Sequence, residues 1–338
     1  MAASKENPIY TVYLLTGSKT YNLTTVCTDI SPSHPKNQLA QSVTLRVVNI
    51  RLNKKETLCQ VIAVRQRVMV YASDGEKKGE VFRGWIWTRY HESEVEGAII
   101  TLKCYDNLIY MQESEDSLYF TKGSTTNSVM SSICSKWGIK LNYTYSTITH
   151  DKLVLRGTLS NIITSDILDL VKKKTGKKYV IKSIQDVMYI TPEGTNQTVY
   201  KIEKKKNAVR VRYEQTMDDM VTKVVILGKA EKNSKKRPVV ATVTGNTSTY
   251  GTLQKLEDKD EDTSLADAKK EAQTIINEKG KPETEFQIEA SDIPWIMKGD
   301  LVYVDAGHLT QEKMIVLGIE RDISNSKKTM VLTCKIAS

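Results

Sequence analysis

Apolar positions recur with a period of two along most of the chain and switch to a helical period in the middle and again near residue 270. The clearest period-two stretch is 81–90. Phe82, Gly84, Ile86, Thr88 and Tyr90 fall on one face, and Arg83, Trp85, Trp87 and Arg89 on the other. A polar connection, 91–97, leads to 98–106, where Ile100, Leu102 and Cys104 alternate with Thr101, Lys103 and Tyr105. Two such runs joined by a short polar link predict an antiparallel hairpin. Two indoles between two guanidiniums suit a surface that another subunit covers, because Trp and Arg are enriched at interface hot spots. They equally suit a cap over the molecule's own core.

The other runs are read around this hairpin. Strands are expected at 10–16, 43–47 and within 61–71, where Val68 and Val70 share a face ahead of an Asp74-Gly75 turn signal. Residues 28–40 hold Ser, Pro, His and Asn and read as a long loop. This spacing predicts an antiparallel barrel within 1–118. Next come two helical stripes, Val129, Met130, Ile133, Cys134 and Trp137, then Ile163, Ile167, Leu170 and Val171, with stops at Gly138 and Gly176. With strands near 153–155, 179–181 and 187–190 they predict a compact α+β insert at 119–200.

Strands return at 208–213, 221–227, 238–243, 284–290, 299–304, 313–320 and 329–336. The run 222–228 has enough consecutive apolar residues to be buried on both faces. Between them Ser264 caps a helix over 264–279, with Asp267 in the capping-box position and Leu265, Ala268, Ala272, Ile275 and Ile276 on one face. The expected fold class is therefore α+β, predominantly β: two antiparallel β-barrels, 1–118 and 201–338, flanking the insert.

Composition narrows the function. The 338 residues, 40% hydrophobic and 26% charged, describe a soluble folded chain of two or three domains. The net charge of +9 admits nucleic acid as a partner, but the basic runs at 172–182, 201–206 and 229–237 read as solvated loops and helix ends. Lys172, Lys173 and Lys174 complement the dipole of a helix ending at Gly176. Cys27, Cys59, Cys104, Cys134 and Cys334 are dispersed and odd in number, which argues against a disulfide framework and for synthesis in a reducing cytoplasm. Residues 1–10 lack the apolar centre of a signal peptide, and no apolar run is long enough to span a membrane as a helix.

No catalytic constellation stands out. His34, His91, His150 and His308 lie in polar, loop-like contexts without ligand-spaced neighbours. Asp218-Asp219 and the acids of 257–262 read as solvated charge. Asp258, Asp260 and Asp262 resemble part of a calcium loop that lacks its glycine and closing glutamate. The chain is expected to be no enzyme, with no cofactor and no metal.

Five segments in order carry a resemblance: Val81-Phe-Arg-Gly-Trp-Ile86, Thr101-Leu-Lys-Cys-Tyr-Asp-Asn-Leu-Ile-Tyr-Met111, Tyr250-Gly-Thr-Leu-Gln254, the capped helix to Ile276, and Lys298-Gly-Asp-Leu-Val-Tyr-Val304. Together they resemble the baseplate hub protein of contractile tails, late control gene D-like, in the branch of Gram-positive myophages, defective phage-like particles and R-type bacteriocins. The resemblance implies a homotrimeric ring whose two similar barrels per subunit present a near six-fold face to the tail tube protein. The three-fold face then meets the central spike protein, beside other baseplate proteins, with nucleic acid at most passing through the channel. It implies a mature location in the baseplate, no membrane insertion, and a joint without turnover, with Trp85, Trp87, Arg83 and Arg89 as the expected subunit interface. Two rivals remain open: a nucleic-acid-binding barrel protein, and a tail-associated cell-wall hydrolase.

Overall fold

The computed structural model describes residues 7–17, 19–143, 148–230, 236–259 and 263–337. The chain divides into two compact units, Met1–Arg212 with Phe286–Ser338, and Tyr213–Glu285.

The first unit opens with β1 (Ile9–Thr16), β2 (Lys19–Asn22), β3 (Cys27–His34), β4 (Ser42–Val48), β5 (Arg51–Asn53), β6 (Glu56–Thr57), β7 (Arg67–Ser73), β8 (Lys78–His91) and β9 (Ile99–Tyr105). All but the small β5–β6 pair run antiparallel in the order β3-β4-β9-β8-β7-β1-β2. Period-two alternation turns Val12, Leu14, Val43, Leu45, Val68, Val70, Phe82, Ile86 and Leu102 into one core. The expected loop at 28–40 is corrected. Its first half is β3, held between β4 and β22 (Glu312–Ser324), with Ile30, Pro32 and His34 turned inward. Pro32 lacks a ladder donor, and it lies where the β3–β22 pairing is interrupted, between Ile30 and Ser33.

Next in the first unit come β10 (Glu115–Phe120), β11 (Lys140–Tyr143), β12 (Leu153–Thr158), β13 (Tyr179–Ile184) and β14 (Val187–Pro192). β10 pairs with β12, while β14 lies between a parallel β11 and an antiparallel β13. Thr125 caps the helix Thr126–Lys136 by accepting the Ser128 N–H. The second helical stretch starts at Leu159, widens to a π-helix over Ile162–Leu168 and ends at Gly176, φ +72°. Val129, Ile133, Leu159, Ile163 and Ile167 meet in the second core.

β15 (Tyr200–Glu203) and β16 (Ala208–Thr216) follow. In the second unit, β17 (Lys223–Leu227) lies between β18 (Val239–Thr244) and β19 (Gln254–Asp258). The helix Leu265–Lys279 covers one face, packing Ala268, Ala272 and Ile276 on Val224 and Ile226. Its cap is the expected one, Ser264 accepting from Asp267 N–H. Asp260 and Asp262, from the calcium-loop comparison, lie outside the described residues.

β20 (Glu283–Ser291), β21 (Leu301–Asp305), β22 and β23 (Lys328–Ile336) complete the third core of the first unit, with Ile202, Ile288, Val302, Val316 and Leu332 fully buried. Among the described strands no ring closes. Because β22 pairs with β3, the order runs β16-β20-β23-β22-β3-β4-β9-β8-β7-β1-β2, and β15 and β21 bring the sheet to 13 strands. The molecule is thus predominantly β, built on one large, mostly antiparallel sheet.

Candidate functional site

β7, β8 and β9 set Arg67, Trp85 and Tyr105 side by side in cross-strand register. The Arg67 guanidinium lies 4.3 Å over the Trp85 ring. Arg65 reaches the same indole at 5.3 Å and the Tyr110 ring at 5.4 Å, and its Nη1 donates to the Tyr110 hydroxyl at 2.7 Å. Trp87 packs edge-on against Tyr105, centroids 6.3 Å apart, and Tyr110, 5.8 Å, while remaining 41% exposed. Lys103 lies 5.1 Å from the Tyr105 ring. The result is an aromatic row interleaved with cations.

Arg83 forks onto Glu80 at 2.8 and 2.6 Å, which raises its proton affinity. Asp186 pairs with Arg67 and approaches Arg83 at 3.8 Å. Burial, then the charge of Arg83, draws Arg67 below the usual guanidinium range. Asp186 reaches this face from the β13–β14 turn, where Gln185 and Asp186 take φ of +51° and +66°. Asn107 steadies the turn by donating to the Asp186 carbonyl at 2.8 Å.

The expected set Arg83, Trp85, Trp87 and Arg89 is only partly brought together. A β-bulge interrupts the pairing with β9 between Ile86 and Thr88. Beyond it Thr88 opposes Lys103 and Arg89 opposes the buried Leu102, so the faces exchange. Thr88 and Tyr90 therefore turn outward. Arg89 turns inward and donates to the Ile62 carbonyl at 2.7 Å and to Cys59 Sγ at 3.3 Å. Arg67 follows from the alternation, opposite the face of Val68 and Val70, whereas Arg65 and Tyr110 join without a signal in it. Arg65 sits on a left-handed turn and Tyr110 on the short helix Ile109–Gln112, and neither belongs to a period-two run.

His34 and His150, in polar, loop-like sequence contexts, are buried, at 6% and 3% exposure. His91 lies near Cys59 and Glu94, their ligand-type atoms all within 4.8 Å of one another. The Arg89 guanidinium stands among them, 3.3 Å from Cys59 Sγ and 3.5 Å from His91 Nε2, so a fixed cation already faces these donors.

A cleft of about 340 Å³ in the first unit is lined by His34, Phe82, Asp106, Trp295 and Lys298, among others. Burial, then the charge of Lys298, holds His34 down to about 3, and among the described residues its Nε2 has no hydrogen-bond partner. Burial pushes Asp106 up to about 7, against N–H donors from Gln41 at 3.0 Å and Leu108 at 2.9 Å. Lys298, brought down to about 8 by burial, donates to the carbonyls of Pro35 and Gln38 at 3.0 and 2.8 Å. Gln112 Oε1 accepts the N–H groups of Leu39 and Ala40, so side chains from three places pin the segment 35–41.

A single family model spans residues 36–335, from this pinned segment to the last strand. The chain belongs to the YQBQ-like family. This YQBQ-like chain is 24% identical over 307 residues to the phage-like element PBSX protein XkdQ of Bacillus subtilis (strain 168), covering 87% of this chain and 91% of that protein. Its fold matches the prophage MuSo2 43 kDa tail protein of Shewanella oneidensis, TM-score 0.70 at 15% identity, over 97% and 98% of the two chains. It also matches the E. coli c3393 protein, a type VI secretion component described as structurally similar to the T4 tail proteins gp27 and gp5. There the TM-score is 0.59 at 9% identity, over 93% and 74% of the two chains. The YQBQ-like chain therefore has the fold of phage tail proteins.

Proposed function

We propose that this protein is the baseplate hub of a contractile tail. It forms a homotrimeric ring that adapts a hexameric tail tube to a trimeric central spike, and it works as a load-bearing joint without turnover. The observation that carries the reading is the shared fold with a prophage tail protein over 97% of the chain. The sequence relation to a protein of a phage-like element supports it. In this reading residues 1–118 and 201–338 supply two barrel-like lobes, 119–200 the insert between them, and the particle's baseplate is the mature location. The one sheet that runs through both β-rich parts of the first unit suits transmission of load, because force along it is shared by many backbone hydrogen bonds.

Trp85 and Trp87 belong to the subunit contact in this reading. The double variant Trp85→Ala, Trp87→Ala is expected to weaken ring formation by more than about 30-fold, since hot-spot aromatics contribute about 2 kcal/mol or more. Light-scattering mass and negative-stain images of the purified chain check it. Rings of three subunits that persist in the variant with unchanged mass and thermal midpoint would remove the tryptophans from the contact. A monomeric parent, alone and with its tail proteins, would remove the ring.

A further inference from the structure

We propose that the corner formed by Arg65, Trp87 and Lys103 docks a carboxylate carried on a turn of a partner protein, next to an apolar side chain that covers Trp87. This inference rests on the reading of the tryptophan face as an interface and names the chemistry of what covers it.

The same face already holds one contact of this kind. Asp186, on a two-residue left-handed turn, lies against Arg67 and Arg83, and Arg83 is further neutralised by Glu80. The other half has the matching cations without the acid. Among the described residues the Arg65 guanidinium has polar or ring contacts only with Trp85 and Tyr110, and the Lys103 ammonium only with the Tyr105 ring. Neither has a carboxylate partner there.

Arg65 is also held ready. A non-glycine residue at φ +65° is strained, and this one is fixed by its own N–H to the Ile86 carbonyl at 2.7 Å and by the Ile86 N–H to the Gln66 carbonyl at 2.9 Å. The two rings and the Tyr110 hydroxyl hold the guanidinium in place, and among the described residues no carboxylate takes its other N–H groups, which suit a forked carboxylate. Trp87, 41% exposed, and Val64, 59% exposed, offer the apolar margin. Glu80 and Asp186 on the same face disfavour a long polyanion, which would carry phosphates past both. A single carboxylate on a protein turn avoids that repulsion.

The test uses the full-length chain with labelled indoles, whose four tryptophans give four Nε1–H signals. The probe is a cyclic peptide presenting Phe-Asp on its turn, and the control presents Phe-Asn. Saturable shifts of the Trp85 and Trp87 signals are expected, with Trp295 unmoved because its indole donates internally to Asp74 at 2.6 Å. Binding should weaken roughly tenfold with the Asn control and again in Arg65→Gln, as loss of a charge-assisted pair implies. Equal binding of the two peptides, no shift at millimolar peptide, an unaffected Arg65→Gln, or tighter binding of single-stranded oligothymidine overturns the inference.

Ring assays separate it from the broader reading. If the double tryptophan variant breaks the ring and Arg65→Glu does not, the interface survives and the acidic partner is lost. If Arg65→Gln abolishes peptide binding while the tryptophan variant leaves the ring intact, the docking site stands and the subunit contact is elsewhere.

Discussion

His34 and Asp106 line one cleft and respond to pH in opposite directions. His34 titrates near 3 when folded, against 6.5 ordinarily. Above 6.5 neither state holds the proton. As pH falls from 6.5 toward 3 the unfolded chain binds a proton that the folded chain refuses, and stability is lost at up to ~1.4 kcal/mol per pH unit. Asp106 is raised from 3.8 to about 7. The folded chain keeps a proton that the unfolded chain has released, so this contribution is complete below 3.8 and is lost as pH rises through 7. Between 3.8 and 6.5 the two slopes oppose and nearly cancel in the parent. His34→Gln should therefore show stability falling with rising pH across that range, and Asp106→Asn stability rising. Urea midpoints at several pH values check this, and parallel curves for the two variants would exclude both burial effects.

At the scale of elements, Gly84 shows how closely β8 and β9 approach. A Cβ there would lie 2.2 Å from the Tyr105 carbonyl oxygen. Gly84→Ala must push the strands apart under Trp85 and Tyr105, and a loss of at least ~1–3 kcal/mol is expected. A lowered urea midpoint and altered tryptophan emission would register it, whereas an unchanged midpoint would mean the strands part freely. The alternation of β8 was legible because Phe82, Gly84 and Ile86 do face the core. The bulge at Trp87 was not, since Thr88 and Tyr90 are compatible with either face and nothing in their order marks one extra residue. β3 was hidden for a related reason. Ser31, Pro32 and Ser33 carry turn chemistry, and only pairing with β4 and β22, far apart in the chain, makes them a strand. The stop at Gly176 and the cap at Ser264 were readable because each acts within a few residues of itself. Arg65 and Tyr110 were not, because folding alone brings them to Trp85 and Trp87.

For the whole molecule, the second unit is the part whose removal the first should survive. The first unit contains three large cores and the continuous sheet, whereas the second rests on Val221, Val224, Ile226, Ala268, Ala272 and Ile276. Its ends leave along β16 and β20, which are paired neighbours, with Arg210 bonded to Glu289 at 2.7 Å and Gln215 to Thr284 at 3.1 Å, so the two strands run in opposite directions. Two antiparallel neighbours accept a two-residue Asn-Gly turn. A chain with 213–285 replaced by that turn should keep a cooperative thermal transition within a few degrees of the parent's main one, because the cores of the first unit draw none of their buried residues from that segment. Residues 213–285 alone should melt at a markedly lower temperature, since so small a core buries little apolar surface. Calorimetry of the parent and both pieces decides it. Loss of the transition in the shortened chain would mean that the units fold only together, and a ring that still assembles from it would put the subunit contacts in the first unit.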